Sequence, residues 1–174
     1  GRLMSALVDD MVAAFLAQPD PVQALAKWYL DEAPSIGAAP FHCAVSRIGC
    51  VSGAVLLRHY PFQIQLFICP PDIIIPEHTH PDVDSYEVYI GGQIDFTING
   101  SSVAPLEKRI ADEEGWAALR GSVIRVKPTT KHGGKIGKEG GIFVSVQQWL
   151  NDVEITCITQ NHSIGEVMHP ERAH

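Results

Sequence analysis

Apolar residues recur every three or four positions in the first part of the chain. Between Ser5 and Leu16 this spacing places them on one side of a predicted helix; they are Leu7, Val8, Met11, Val12, Phe15 and Leu16. A second helix is predicted to begin at Asp20, whose carboxylate can accept hydrogen bonds from free backbone amides, with Pro21 in the first helical position. Its buried stripe is predicted to be Leu25, Trp28, Tyr29 and Leu30, and Pro34 is predicted to end it.

After residue 40 the apolar pattern changes to alternate positions. Short runs rich in Val, Ile and Phe are separated by Gly, Pro, Asn or Asp; they read "GAVLLRHY", "FQIQLFIC", "YEVYIGG", "QIDFTING", "GSVIRVKP" and "GIFVSVQQWL". Asn99 and Gly100 tolerate positive φ, so they predict a hairpin turn. Six or more short strands at this spacing predict an all-β sandwich or barrel that follows the N-terminal α-helices.

Composition limits the function classes. A length of 174 residues favours one domain, and a net charge of −7 argues against a nucleic-acid partner, which would need many clustered Lys and Arg residues. No apolar run is long enough to cross a bilayer, so we expect no membrane partner. The four cysteines, which are Cys43, Cys50, Cys69 and Cys157, are spread without CxxC pairing, and this predicts a cytoplasmic location.

Two histidines separated by one residue stand in "PEHTHPDVDSYEVYIGG". Alternate side chains of a strand point to the same face, so His78 and His80 can bind one metal ion together. An isolated pair of this kind can also be two surface imidazoles that share a face by chance. A third histidine, His132, follows the strand that Gly121 opens and Pro128 ends in "GSVIRVKPTTKHGG".

These two segments together resemble the motifs of the cupin superfamily. The first motif of that family reads G-x5-H-x-H-x3–4-E-x6-G, and His78, His80 and Gly92 fit it; the second reads G-x5-P-x-G-x2-H, and Gly121 and His132 have its separation. The resemblance spans roughly residues 62–148. It implies a single cupin (jelly-roll) β-barrel, predicted at 37–158, between an N-terminal helical segment at 1–36 and a polar C-terminal tail at 159–174.

The sequence departs from the family pattern at several positions. Asp72 replaces the first glycine of motif one, and in motif two Lys127 and Thr129 replace the proline and the internal glycine, with Pro128 one position late. The glutamate of motif one should fall on Asp84 or Ser85, whereas the nearby glutamate is Glu87. Glu87 shares the inward parity of Ser85, so the predicted metal ligands are His78, His80, Glu87 and His132. Asp84 as the carboxylate, or three histidines alone, are the alternatives.

Such ligands suit one divalent transition metal ion, which could be Fe, Mn, Ni or Zn. The resemblance implies a metal-dependent enzyme that acts on a small organic molecule, with a dioxygenase-type oxidoreductase as the leading hypothesis. A redox-neutral lyase or isomerase is the alternative, and a metal-dependent binding protein without turnover is the third. The resemblance also implies a homodimer.

Four further residues lie on the strands expected to surround the metal. Tyr86, Tyr89, Arg125 and Gln147 are therefore the predicted substrate-binding residues, although the inward face of each strand is not fixed by the pattern. The remaining histidines lack matched spacing and are predicted to be surface or structural residues; they are His42, His59, His162, His169 and His174.

Overall fold

Two helices precede the strands in the computed structural model, which describes residues 2–36, 45–48, 51–103 and 123–158. Helix α1 spans Arg2–Leu16 and α2 spans Pro21–Ile36. The Gln23 amide donates to Asp20 Oδ1 at 3.4 Å, as expected of an N-terminal cap. The predicted end at Pro34 is wrong: a proline in the last turn removes only its own hydrogen bond, and α2 continues to Ile36. Neither helix combines the length and apolarity that crossing a bilayer requires.

Eight strands follow within the described residues, and every pairing between them is antiparallel. They are β1 (Val45–Ile48), β2 (Val51–His59), β3 (Phe62–Cys69), β4 (Ile74–His78), β5 (Val83–Ile98), β6 (Ser101–Ser102), β7 (Val123–Val126) and β8 (His132–Trp149). The order is β1-β2-β3-β8-β5-β6, with β4 also paired to β8 and β7 to β5. The predicted all-β fold with N-terminal helices is confirmed. Gly121 and the predicted tail, 159–174, lie outside the described residues.

The two long strands, β5 and β8, join two sheets. Residues 83–92 of β5 and 141–149 of β8 lie in one sheet with β3 and β7, while residues 94–98 and 132–136 lie in the other with β4 and β6. The sequence predicts β5 as two shorter runs, "YEVYIGG" and "QIDFTING", and β8 as the single shorter run "GIFVSVQQWL". The two sheets therefore face each other across the interior of the barrel. Strands β5 and β8 border this interior on both sides, because each contributes residues to both sheets.

Glycine permits the bend of β5. The pairing register between β5 and β8 shifts on both sides of Gly92, which has a φ of +81°. A β-carbon at Gly92 would collide with the backbone of Gly140, so a side chain cannot be accommodated there. The predicted hairpin is also confirmed, because Asn99 and Gly100 have positive φ values of 51° and 81°.

The first sheet is buried on both faces. Its outer face packs against the helices in a cluster that includes Leu25 and Tyr29 of α2 with Phe62, Val88 and Val144 of the strands. Its inner face, together with the second sheet, encloses a separate apolar cluster that includes Phe67, Ile73 and Trp149. Burial of apolar area on both sides is the main contribution that holds helices and sheets together.

An ionic cluster fastens α2 to the outer face of this sheet. The Arg125 guanidinium donates to Asp84 through Nε and Nη2, at 2.9 and 2.8 Å, and to Asp20 through Nη1 at 2.8 Å. Its carbon Cζ also lies 4.8 Å from the centre of the Tyr86 ring, which Nη1 contacts at the hydroxyl. Asp20, the cap of α2, is thereby tied to β5 and β7.

Replacing Arg125 should therefore loosen the helices. We expect Arg125→Met to lower the free energy of unfolding by about 1–3 kcal/mol, because two partly buried carboxylates lose their shared donor. Denaturant unfolding measures this effect, and Lys138→Met, a change at an exposed lysine, is the control expected to stay within about 0.5 kcal/mol. Equal stability of both variants would show that the cluster does not hold α2 in place.

Candidate metal centre

Three histidines meet at the edge of the second sheet. His78 is the last residue of β4 and is paired directly with His132, the first residue of β8. A turn in which the Thr130 amide donates to the Lys127 carbonyl at 2.9 Å leads the chain from β7 into His132. His80 follows β4 by two residues. The side chains of His80 and His132 are buried and that of His78 is half-buried.

Backbone hydrogen bonds orient two of the three rings. The Nδ1 atom of His78 lies 2.7 Å from the Pro76 carbonyl oxygen, and Nδ1 of His132 lies 3.0 Å from that of Thr130. A ring that donates through Nδ1 leaves Nε2 as the ligand atom, which is the usual device for presenting histidine to a metal. Burial lowers the pKa of His132, which favours the neutral form that metals bind.

The distances fit a metal ion. One ring nitrogen from each histidine lies within 4.8 Å of the other two, and Nε2 of His78 is 3.0 Å from Nε2 of His80. Two imidazole nitrogens bound to one ion at ~2.1 Å and at ~90° to each other would be separated by ~3.0 Å. The donor set, three imidazoles, suits Fe, Mn, Ni or Zn.

The histidines open into a cavity of about 50 Å³ between the sheets. Its walls are mainly apolar and aromatic and include Phe67, Ile75, Phe96, Ile124 and Phe143. The Phe143 ring stacks on Phe67 at 5.1 Å and meets the Phe96 ring edge-on at 5.7 Å. Mainly apolar walls of this kind limit the access of water to the space beside the histidines.

Glu87 brings a carboxylate into the same cavity from the opposite sheet. Its side chain is buried, and Oε1 accepts hydrogen bonds from Ser145 Oγ at 2.9 Å and Ser85 Oγ at 3.1 Å. Its other oxygen, Oε2, is buried and has no hydrogen-bond partner among the described residues. Burial raises the pKa of Glu87 to about 7, and the two serine hydrogen bonds oppose that rise.

The strand topology and the positions of both motifs decide the fold. Two sheets share β5 and β8, and the motif-one pair, His78 and His80, meets the motif-two histidine, His132, in the cavity between them. The chain has a cupin fold. The fold predicted from the two motifs is thus confirmed.

Solved structures with this fold are similar to the chain. KdgF from Halomonas sp. has a TM-score of 0.49 at 9% identity, over 63% of this chain and 90% of that one. An RmlC-like cupin from Shewanella frigidimarina has a TM-score of 0.49 at 13% identity, over 64% and 87% of the two chains. Pac13 from Streptomyces, described as a nucleoside dehydratase, has a TM-score of 0.49 at 11% identity, over 76% and 94%. No protein-family model matches the sequence, and no match was found among curated proteins.

The cupin cavity separates the two candidate carboxylates. Asp84 lies on the outer face of β5 in the ion pair with Arg125, so the alternative that made it a metal ligand is wrong. Glu87 has the inward parity that the sequence predicted, since it shares its face with Ser85. The structure places it in the cavity but does not bring it into the group of mutually close ligand atoms, which among the described residues consists of the three histidines.

Three of the four predicted substrate-binding residues lie outside the cupin cavity. Tyr86 and Arg125 are on the outer faces of β5 and β7, where they pack beneath α2, because they have the opposite parity to Glu87 and Ile124. The Tyr89 hydroxyl donates to the Gly92 carbonyl at 2.8 Å in an exposed position. None of the three lines the cavity in the described part of the chain.

Gln147 does point into the barrel, one layer below the cavity. It is fully buried, and its Nε2 donates to Ser145 Oγ at 3.1 Å and to Gln65 Oε1 at 2.9 Å. Ser145 and the buried glutamines of β3, Gln63 and Gln65, are not among the residues predicted from the sequence. The only signal of Gln63 and Gln65 is polar residues at alternate positions in "FQIQLFIC", a pattern that a solvent-facing strand would also show.

Proposed function

We propose that the protein is a metal-dependent cupin enzyme that acts on a small organic molecule, with dioxygenase-type oxidation as its chemistry. The observation that supports this most is the convergence of three imidazoles and one protonatable carboxylate on a single apolar cavity. Such a combination of convergent polar groups and a shifted pKa within an enclosed apolar space is typical of a catalytic site.

The metal would be held by His78, His80 and His132. A bound divalent transition metal would supply a Lewis acid with open coordination positions and, if it is iron, the capacity to react with dioxygen. Three protein ligands leave more open positions than the four-ligand set that the sequence favoured. A chelating substrate and a second small molecule could then be accommodated together.

The chain itself would shape and protect the reaction. The aromatic walls formed by Phe67, Phe96 and Phe143 would orient an apolar substrate and exclude water. Glu87 would hold or accept a proton at Oε2, while Ser85 and Ser145 fix its other oxygen. A carboxyl group whose pKa is about 7 can serve either role near neutral pH.

A redox-neutral lyase or isomerase is the second candidate. The observation that favours it is Glu87 itself, because proton removal and return by one buried carboxylate is sufficient for elimination or isomerisation beside a Lewis acid. A binding protein without turnover would use the same cavity. The homodimer and the cytoplasmic location stay predictions.

Metal analysis followed by oxygen consumption separates these functions. The protein should be purified without added metal, analysed for all transition metals, and screened for oxygen uptake against small organic acids and aromatic compounds. We expect stoichiometric iron and substrate-dependent oxygen uptake that the His132→Ala variant lacks. Zinc or nickel without oxygen uptake would contradict the dioxygenase and favour the redox-neutral enzyme or the binding protein.

A further inference from the structure

A continuous chain of hydrogen bonds crosses the barrel interior and ends at Glu87. Arg58 Nε donates to Gln63 Oε1 at 2.6 Å, and Gln63 Nε2 donates to Gln147 Oε1 at 2.8 Å. Gln147 Nε2 donates to Ser145 Oγ at 3.1 Å, and the Ser145 hydroxyl donates to Glu87 Oε1 at 2.9 Å. Both glutamines are fully buried, so the bonds from Gln63 onward are shielded from bulk solvent, whereas Arg58 is exposed.

The donor and acceptor roles along this series of hydrogen bonds are fixed at its first residue, Arg58. Arginine can only donate, so the oxygen of the Gln63 amide must face Arg58 and its NH₂ group must face Gln147. The Trp149 indole, which is also only a donor, contacts Gln147 Oε1 at 2.9 Å and fixes that amide in the same sense. The hydroxyl proton of Ser145 is therefore available to Glu87 and is not required by Gln147.

This arrangement makes the two oxygens of Glu87 different. Oε1 accepts from Ser145 and from Ser85, whereas Oε2 is buried without a hydrogen-bond partner in the described residues and belongs to a side chain that lines the apolar cavity. A buried carboxyl oxygen with no partner is unfavourable. A polar group of a bound molecule would satisfy it.

We propose that Oε2 of Glu87 binds a hydroxyl group of the substrate, and that Ser145 and Gln147 are positioning residues. The hydrogen bond from Ser145, which Gln147 orients, occupies Oε1, so that Oε1 does not make the contact with the substrate. A hydroxyl suits the site because it can donate to a carboxylate and accept from a carboxylic acid. The aromatic walls would contact the rest of the molecule, so the substrate class is a small hydroxyl-bearing aromatic or otherwise apolar compound. This inference rests on the proposed function, since it assigns the substrate of the same cavity.

Two probes of similar shape test the contact. Binding of 4-fluorophenol and of 4-fluorotoluene, which differ in a hydroxyl against a methyl group, can be measured by fluorine NMR on chelator-treated protein and on zinc-loaded protein. We expect the native protein to prefer the phenol about three- to tenfold in both forms, which is the range for one net hydrogen bond. The metal-free measurement separates the contribution of Glu87 from that of the metal.

Variants test whether the preference for 4-fluorophenol depends on Glu87 and on the series of hydrogen bonds that ends at it. Glu87→Leu should bind both probes equally, while Glu87→Gln, which keeps a polar group, should retain part of the preference. Ser145→Ala should reduce the preference and leave the affinity for 4-fluorotoluene unchanged, an effect that general destabilisation would not produce. Ser102→Ala is the matched control and should leave the preference unchanged, because it removes a hydroxyl that donates to a carboxylate, that of Asp95 at 3.0 Å, at an exposed site outside the cavity. Thermal unfolding confirms that each variant is folded.

Several results would overturn this inference. They are an undiminished phenol preference in Glu87→Leu, a preference confined to the zinc-loaded protein, or binding of neither probe. Failure of the protein to bind zinc, with the Glu87-dependent preference intact in the metal-free form, would instead contradict the proposed metalloenzyme and leave the hydroxyl contact standing.

Discussion

Replacing His132 with alanine is expected to abolish stoichiometric metal binding and leave the barrel folded. His132 would provide one of three ligands, and its loss would leave two imidazoles that should bind on the order of a hundredfold more weakly or worse. The core does not depend on this side chain, because apolar residues of both sheets and of α2 form it. His78→Ala should have the same effect.

Metal analysis of the purified variants measures the loss of metal binding, and circular dichroism measures whether the barrel is still folded. His59→Ala is the control, since His59 bonds Asp9 at an exposed site away from the cavity. Its metal content should equal that of the native protein. Full metal occupancy in both His78→Ala and His132→Ala would contradict the assignment of the ligands.

The metal-free protein is expected to lose stability as the pH rises from about 4.5 to 7, and Glu87→Gln should remove most of that loss. Burial raises the pKa of Glu87 from 4.5 in the unfolded chain to about 7 in the fold, so the folded state retains the proton over this range. Stability contributed by the protonated form is complete below pH 4.5 and is lost as the pH passes through about 7. The resulting decrease in the free energy of unfolding between pH 4.5 and a pH above 7 amounts to roughly 3 kcal/mol.

Urea unfolding of both proteins at a series of pH values, with a chelator present, measures this difference. Burial shifts the pKa of His132 downward, which disfavours the fold at low pH, so the comparison with Glu87→Gln is needed to isolate the carboxyl group. Parallel stability curves for the two proteins would show that Glu87 does not carry a proton in the folded state at neutral pH.

The sequence predicted much of the fold and the three histidines that the structure brings together. Alternation of apolar residues located the strands, and Asn99 with Gly100 located a hairpin, because each depends on local backbone preferences. The spacing of His78 and His80 predicted a shared ligand site for the same reason. The continuity of β5 through residues 83–98 was not predictable, since its bend at Gly92 depends on close contact with the backbone of Gly140.

The faces of the strands could not be predicted because the first sheet is covered on both sides. In β5 the outward residues Tyr86 and Val88 pack against helices, and the inward residues Ser85 and Glu87 are equally buried. Alternation of apolar and polar residues then no longer distinguishes inside from outside. This is why Tyr86 and Arg125 were assigned to a pocket from which the structure excludes them.

An anomalous diffraction map from crystals of the metal-loaded protein, recorded at the absorption edge of the bound metal, tests the three-histidine centre most directly. We predict one peak in the cavity at about 2.0–2.2 Å from Nε2 of His78, His80 and His132, with no oxygen of Glu87 at ligand distance. A peak elsewhere, or no peak between these three side chains in protein that contains stoichiometric metal, would contradict it.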